Sequence, residues 1–180
     1  MHERRFHGDV DRLRTPERIK LLEVKRVVKL SLDNINVKSV LDIGTGSGLF
    51  AEEFAEHGLE VSGIDVSEEM LKEAQKYLPH GNFKKGLAED IPFPDGSFDL
   101  VFLGVVLHET DDLNKALNEA KRVSKNRVAI LEWPYTKGEY GPPLEHRINP
   151  ELLSSLIKKS GFKDYKKVSL SSLELHLLTP

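Results

Sequence analysis

The residues best suited to chemistry concentrate in one run, Val40-Leu41-Asp42-Ile43-Gly44-Thr45-Gly46-Ser47-Gly48. Glycines this dense let the backbone turn sharply and let a ligand approach main chain that carries no Cβ. A helix is expected directly after them, and its first N–H groups are free to meet a ligand. The spacing discriminates among ligands. A dinucleotide fingerprint places its third glycine three residues after the second, at position 49, where Leu49 stands. A phosphate loop needs Gly-Lys followed by Ser or Thr, and the run holds no lysine.

Asp42 adds a charge argument. A carboxylate beside the turn repels a pyrophosphate and favours a cation, directly or through water. S-adenosyl-L-methionine carries an ammonium and a sulfonium and no phosphate, so its charge pattern suits this turn; the alternative is that Asp42 only caps it. Asp65 follows Gly48 by 17 residues, at the end of a second apolar run. A carboxylate there accepts from both ribose hydroxyls, as in dinucleotide folds, or else caps the next helix. His108, followed by Glu109, stands just beyond the most apolar run, and is either a site residue, as a candidate base, or a structural imidazole bonded to a backbone carbonyl.

These residues need elements to place them. Helices are expected from Thr15-Pro16 onward (Leu21, Val24 and Val28 at helical spacing), over Ser47–His57, Glu68–Leu78 behind Ser67, Asp112–Ser124, and from Asn149-Pro150 to Ser160. Strands are expected at Val37–Ile43, Leu59–Ile64, Asn82–Lys85, Phe98–Leu103 and Arg127–Trp133, with a closing hairpin of Tyr165–Leu170 and Leu173–Leu178. Alternating strands and helices predict an α/β fold: one doubly wound, mostly parallel, Rossmann-like sheet of about seven strands, with helices on both faces and an antiparallel final hairpin. Ligands in such sheets bind beyond the carboxyl ends of the strands, where strand order reverses. That puts the site on the loops after Ile43, Ile64, Lys85, Leu103 and Trp133.

The 180 residues are expected to form one domain, 1–180, with residues 1–14 as an N-terminal arm. That arm, with Phe6, His7, Arg12 and Arg14, either covers the ligand pocket, making His7 a third candidate base, or is disordered. Residues 134–149 carry Pro134, Gly138, Gly141, Pro142 and Pro143 and read as a loop without regular structure, long for a compact domain. One reading makes it the acceptor pocket, with Trp133, Tyr135 and Tyr140 as walls and Glu145, His146 and Arg147 as polar contacts, His146 being the second candidate base. The other packs the loop down with its charges solvated. The chain holds no cysteine, no apolar run near the ~20 residues of a membrane span, and a net charge of −3. These features argue for a cytoplasmic protein without membrane insertion and against nucleic acid as a partner. No feature specifies an oligomeric state.

The order and spacing of several segments carry a resemblance. Leu41–Gly48, Gly63-Ile64-Asp65, Ser67-Glu68-Glu69-Met70-Leu71, Gly86-Leu87-Ala88-Glu89-Asp90-Ile91-Pro92-Phe93, Ser97–Val101 and Val106-Leu107-His108 together resemble class I S-adenosylmethionine-dependent methyltransferases. The group nearest in pattern includes the ubiquinone and menaquinone biosynthesis C-methyltransferases, and the resemblance covers Val37 to Phe162. It implies a methyl transfer by in-line displacement to a small-molecule acceptor, with S-adenosyl-L-methionine as cofactor. It places the methionine arm at Gly44, Thr45, Gly46 and Gly48, the ribose at Asp65, and the adenine against Val66 and Met70, although a methionine at helical spacing also suits ordinary core. The Ala88 N–H meets the adenine edge, and the residues from Leu103 and Gly104 onward close over the methionine end. Leu87 departs from the pattern, which has Asp there to accept from the adenine amino group; Glu89 or a carbonyl takes over, or the cofactor is held less tightly. The carboxylate set of catechol-type metal-dependent relatives is absent after Leu103, so no metal is expected. The Asn/Asp-Pro-Pro-Tyr/Phe motif of several nucleic-acid and protein methyltransferases is replaced by Leu103-Gly104-Val105-Val106. Two rivals stay open: a binding subunit with reduced catalysis, and a nicotinamide or nucleotide-sugar enzyme.

Overall fold

The computed structural model describes residues 10–180. The expected capping signals form as real caps. Thr15 accepts from the Arg18 N–H ahead of helix α1 (Pro16–Leu21), and Ser67 from the Met70 N–H ahead of α4 (Glu68–Tyr77). Asp112 does the same for α5 (Leu113–Val123), and Asn149 for α6 (Pro150–Lys159). Each satisfies backbone donors that a helix leaves unpaired at its start.

The first amphipathic segment is not one helix. It breaks at Leu22–Glu23, where Glu23 adopts a left-handed conformation (φ 46°), and resumes as α2 (Val24–Leu32). In a continuous helix residues 22 and 24 lie about 200° apart. The break lets Leu22 and Val24 both reach the core, at 2% and 4% exposure. The Glu23 carboxylate, which accepts from the Ser171 N–H at 2.8 Å, ties the break to the far end of the sheet.

Strands β1 (Ser39–Ile43), β2 (Glu60–Asp65), β3 (Asn82–Lys85), β4 (Phe98–Gly104), β5 (Ser124–Glu132), β6 (Asp164–Ser169) and β7 (Glu174–Thr179) form one seven-stranded sheet. Its order is β3-β2-β1-β4-β5-β7-β6; β7 runs antiparallel to both neighbours and the other pairings are parallel. The doubly wound sheet and antiparallel hairpin are as expected. Strand β5 begins three residues early, because α5 runs straight into it and Ser124 pairs with Phe98 across an irregularity in the ladder. Alternate strand residues serve opposite faces. Val40, Leu100, Phe102, Ala129 and Leu131 pack on α2 and on α3 (Leu49–Glu56), whose Phe50 and Phe54 rings lie 4.7 and 5.3 Å from that of Phe102. Leu41, Ile43, Val101, Leu103, Val128 and Ile130 pack on α5 and α6. The chain winds outward from β1 to β3 and returns beside β1 as β4, so strand order reverses at the carboxyl ends of β1 and β4. Among the described residues no helix is long and apolar enough to cross a membrane.

Candidate functional site

A cavity of about 530 Å³ opens at that reversal, within the range of ligand pockets. Four of its walls are the turns after β1, β2, β3 and β4; the fifth is the segment from Leu13 to Leu22. The turn after β1 crosses the cavity floor. Gly44 has φ +65°, and a Cβ there would lie 2.4 Å from Val106 Cγ2, so only glycine fits this approach. Beside it Val105, a β-branched residue, is held at φ 52°, a strained backbone position at the edge of the site.

Two carboxylates organise the floor. Asp42 is 2% exposed and accepts from the Thr45 hydroxyl at 2.8 Å. Burial pushes its carboxyl up to about 7; the Thr45 bond opposes this and the charge of Asp65 adds to it. Capping the turn and lining the cavity are therefore not alternatives for Asp42, which does both. Asp65 accepts from the Gly46 N–H at 2.9 Å and from the Ser67 N–H at 2.8 Å, one on each oxygen. Burial raises its pKa against these bonds. A carboxylate offers about four lone-pair directions, so two bonds leave acceptor capacity toward the cavity.

At the opposite end the walls turn apolar. Val66 and Leu87 are both 40% exposed and line the cavity, with nearly buried Met70 and Ala88 beside them. Leu87 thus adds an apolar wall where the family pattern has a carboxylate. Glu89 lines the cavity too, but its Oε1 accepts from the Asp111 N–H at 2.7 Å, which ties the turn after β3 to the start of α5.

Several expected residues stand elsewhere. Gly48 lies outside the lining; its φ of +77° and a would-be Cβ contact of 3.0 Å to Ala74 make it the glycine that lets α3 meet α4. Leu103 is fully buried between β1 and β5 as core, while Gly104 reaches the cavity. His108 does not line the cavity. Its Nδ1 lies 3.0 and 2.9 Å from the two oxygens of Glu132, and its backbone N–H donates to the same carboxylate. The imidazole is paired with a buried carboxylate rather than with a backbone carbonyl. His146 ends a short 3-10 turn, Leu144–His146, and is also outside the lining. His7 falls outside the described residues.

Residues 134–149 do not reach the cavity, because Arg147 gathers them around itself. Its guanidinium donates to the carbonyls of Pro134, Thr136, Tyr140 and Pro142 at 2.6 to 3.1 Å and lies 5.6 Å from the Trp133 ring. Trp133 is buried, whereas Tyr135 and Tyr140 are exposed. Charge-assisted bonds contribute about 1.5–3 kcal/mol each, so Arg147→Leu should free this segment to protease while leaving cofactor affinity unchanged. Limited proteolysis should show cleavage between residues 134 and 146 rising about tenfold or more. Arg147→Lys should rescue little, since one ammonium cannot span four carbonyls as a planar fork does.

Sequence reasoning offered residues 1–14 as a cover for the pocket and the residues after Leu103 as closing over one end, and Leu13, Val106 and Glu109 do line the cavity. It missed Phe50 on α3 and the α1 part of the fifth wall, Arg18 and Leu22, which nothing in type or spacing sets apart from ordinary helix and core residues. Arg14 fastens this wall: it donates to the Ser47 carbonyl at 2.9 Å, pairs with Glu52 at 2.6 Å and lies 3.4 Å over the Tyr77 ring.

A glycine turn and two carboxylates lie at the reversal point of a doubly wound sheet, with apolar residues at one end of the cavity and no lysine in its lining, a setting in which such folds bind nucleosides. Comparison with known proteins agrees. The model of the methyltransferase domain family matches residues 41–131. A demethylmenaquinone methyltransferase of Thermotoga maritima is 34% identical over 171 residues, covering 87% of this chain and 70% of that one. A ubiquinone/menaquinone biosynthesis C-methyltransferase of Rickettsia massiliae is 34% identical over 123 residues, covering 61% and 49%. The crystal structure of an S-adenosylmethionine-dependent methyltransferase from Aquifex aeolicus superposes with a TM-score of 0.81 at 26% identity, over 94% of this chain and 95% of that one. The chain belongs to the S-adenosylmethionine-dependent methyltransferase family, whose cofactor is S-adenosyl-L-methionine. It spans half or less of several other curated relatives, such as 38% of an uncharacterized methyltransferase of Bacillus subtilis.

Proposed function

We propose that this chain transfers a methyl group from S-adenosyl-L-methionine to a small, partly apolar acceptor held at the Leu13–Leu22 end of the cavity. The observation that carries this reading is the continuity of one cavity from Val66 and Leu87 to Leu22, Phe50 and Val106. The likeness to demethylmenaquinone methyltransferases favours an aromatic acceptor of quinol type.

The charges fit the cofactor. Asp42, Asp65, Glu69, Glu89 and Glu109 line the cavity against Arg18 as the single cation among the described residues. Such a site repels phosphates and suits a ligand with a net positive charge. When bound, the cofactor supplies an electrophilic methyl group. The work of the chain is to hold, align and dehydrate. Asp65 would take the ribose hydroxyls while keeping the Gly46 and Ser67 N–H groups. Val66, Met70 and Leu87 would flank the adenine, with the Ala88 N–H and Glu89 at its edge. Gly44, Thr45, Gly46 and Gly104 would border the methionine arm, with the charge of Asp42 beneath it. The apolar wall would keep water from the acceptor.

The test offers methyl-labelled cofactor to the chain with a ring-unmethylated naphthoquinol, a mixed peptide pool or transfer RNA. Label should enter the quinol alone. Asp65→Ala should remove that incorporation and weaken S-adenosylhomocysteine binding about tenfold or more, since a buried hydrogen-bonded carboxylate is lost. Label in peptide or RNA, or in none of the three, refutes this acceptor class.

A further inference from the structure

The turn after β4 is built more firmly than a cavity wall requires. Val105 is held at φ 52°, a strained position for a β-branched residue. Val106 packs over Gly44 at the cavity floor, and its carbonyl accepts from the Glu109 N–H at 3.0 Å, so Glu109 stands one tight turn beyond that contact. The Glu109 side chain lines the cavity and is 22% exposed. Behind it the His108 Nε2 lies 3.9 Å from its Oε1, while buried Glu132 holds the Nδ1 of the same ring. Glu132 and Glu109 both favour the protonated imidazole. On its other side the charge of Glu109 acts on Arg18 of α1. Cationic groups on two sides favour a carboxylate over a carboxylic acid, so Glu109 borders the cavity in the form that accepts a proton.

Its place separates it from the other acidic residues of the lining. Asp42 and Asp65 are bonded into the floor. Glu89 accepts from the Asp111 and Asp112 N–H groups, and Glu69 is exposed on α4 beside Met70. Glu109 is the one whose charge acts on α1, the wall against which the acceptor is placed above. Methyl transfer to an uncharged acceptor leaves a proton to be removed. The sulfonium C–S bond breaks with its pair left on sulfur, the new bond forms from an electron pair of the acceptor, and the hydrogen on the methylated atom leaves as a proton. Apolar walls that keep water out also leave this proton without solvent to enter, so the chain must supply a group to take it. Resting on the reading that cofactor and acceptor share this cavity, we propose that Glu109 receives the proton that the acceptor gives up. The carboxylic acid so formed loses it to solvent when the product leaves. The His108–Glu132 pair then fixes the turn that carries Glu109 and keeps a positive charge behind its carboxylate.

Steady-state methylation of the ring-unmethylated naphthoquinol, set beside calorimetric binding of S-adenosylhomocysteine, tests this. Glu109→Gln keeps the size of the side chain and cannot take a proton, so it should lower kcat about 100-fold or more. Its KM for the quinol and its affinity for S-adenosylhomocysteine should stay within about threefold of those of the unaltered protein. Glu109→Ala should regain part of its rate on addition of formate, a free carboxylate to which a lost packing contact would not respond. The proposal is overturned by a glutamine variant that keeps kcat within about threefold, or by one whose cofactor affinity falls as far as its rate. An alanine variant indifferent to formate overturns it too. An unaltered protein that binds S-adenosylhomocysteine but methylates no quinol rejects the acceptor reading, and this proposal with it. One that binds no S-adenosylhomocysteine rejects the cofactor site itself.

Discussion

Asp42→Asn should make the ligand-free protein more stable above neutral pH and at the same time weaken its hold on the cofactor. Both effects come from burying a carboxylate without a cation. Burial raises the Asp42 pKa from 3.8 to about 7. The folded chain therefore keeps this proton where the unfolded chain has lost it. The group's contribution to stability is intact below about 3.8, declines as pH rises, and is fully lost above about 7. A shift of roughly three units corresponds to about 4 kcal/mol. Asparagine keeps an acceptor for the Thr45 hydroxyl and has no charge to bury. The gain in melting temperature should be largest near pH 8 and shrink toward pH 5.

Binding runs the other way. A ligand with a sulfonium and an ammonium favours ionised Asp42, so binding should expel a proton below pH 7. Affinity for S-adenosylmethionine should then rise with pH up to about 7 and level off above. Asp42→Asn should flatten that profile and cost about 10–100-fold in affinity, as expected on losing a charge-assisted contact. Titrations in buffers of different ionisation enthalpy measure the released proton directly. An unchanged pH profile in the variant would show that Asp42 caps the turn and nothing more.

The sheet was legible in the sequence because its signals are local. Continuous apolar runs such as Phe98–Leu103 mark buried parallel strands, and cap residues such as Ser67 and Asn149 mark helix starts. The floor of the site was legible for a related reason: a glycine at φ +65° and a carboxylate at a strand end are unusual residue types in unusual places, as at Gly44 and Asp65. What escaped was set by distant contacts. Nothing near Glu23 foretells a left-handed break that sends Leu22 and Val24 to the core together. Nothing near Arg147 foretells that one guanidinium collects four carbonyls and holds residues 134–149 away from the cavity. The setting of His108 was not legible because an imidazole at the end of a central strand suits a base and a buried ion pair equally, and its partner, Glu132, lies 24 residues onward on another strand. Gly48 is a different case: its backbone freedom serves the close packing against Ala74, a contact 26 residues onward that no local signal marks.

His108 and Glu132 carry the other large expected effect. Their side chains are 6% and 4% exposed, and the carboxylate also receives the backbone N–H groups of His108 and Trp133. The pair thus fastens the turn after β4, which walls the cavity through Val105, Val106 and Glu109, to the end of β5. Burial alone would lower the His108 pKa; the charge and hydrogen bond of Glu132, aided by Glu109, outweigh it and raise the value above 6.5. A raised histidine stabilises the fold fully below its unfolded pKa, and this contribution fades as pH rises through the folded one. His108→Leu leaves a buried carboxylate without its cation and should cost about 3–5 kcal/mol, read as a fall in melting temperature. Glu132→Gln frees the imidazole to become neutral, so it should cost less. Its deficit against the unaltered protein should be greatest below about pH 6.5 and narrow as the solution becomes alkaline. Cofactor affinity should fall in both variants only as far as the β4 turn loosens, because neither side chain lines the cavity. Methyl transfer abolished by His108→Leu at an unchanged melting temperature would contradict this and return the imidazole to the role of a base.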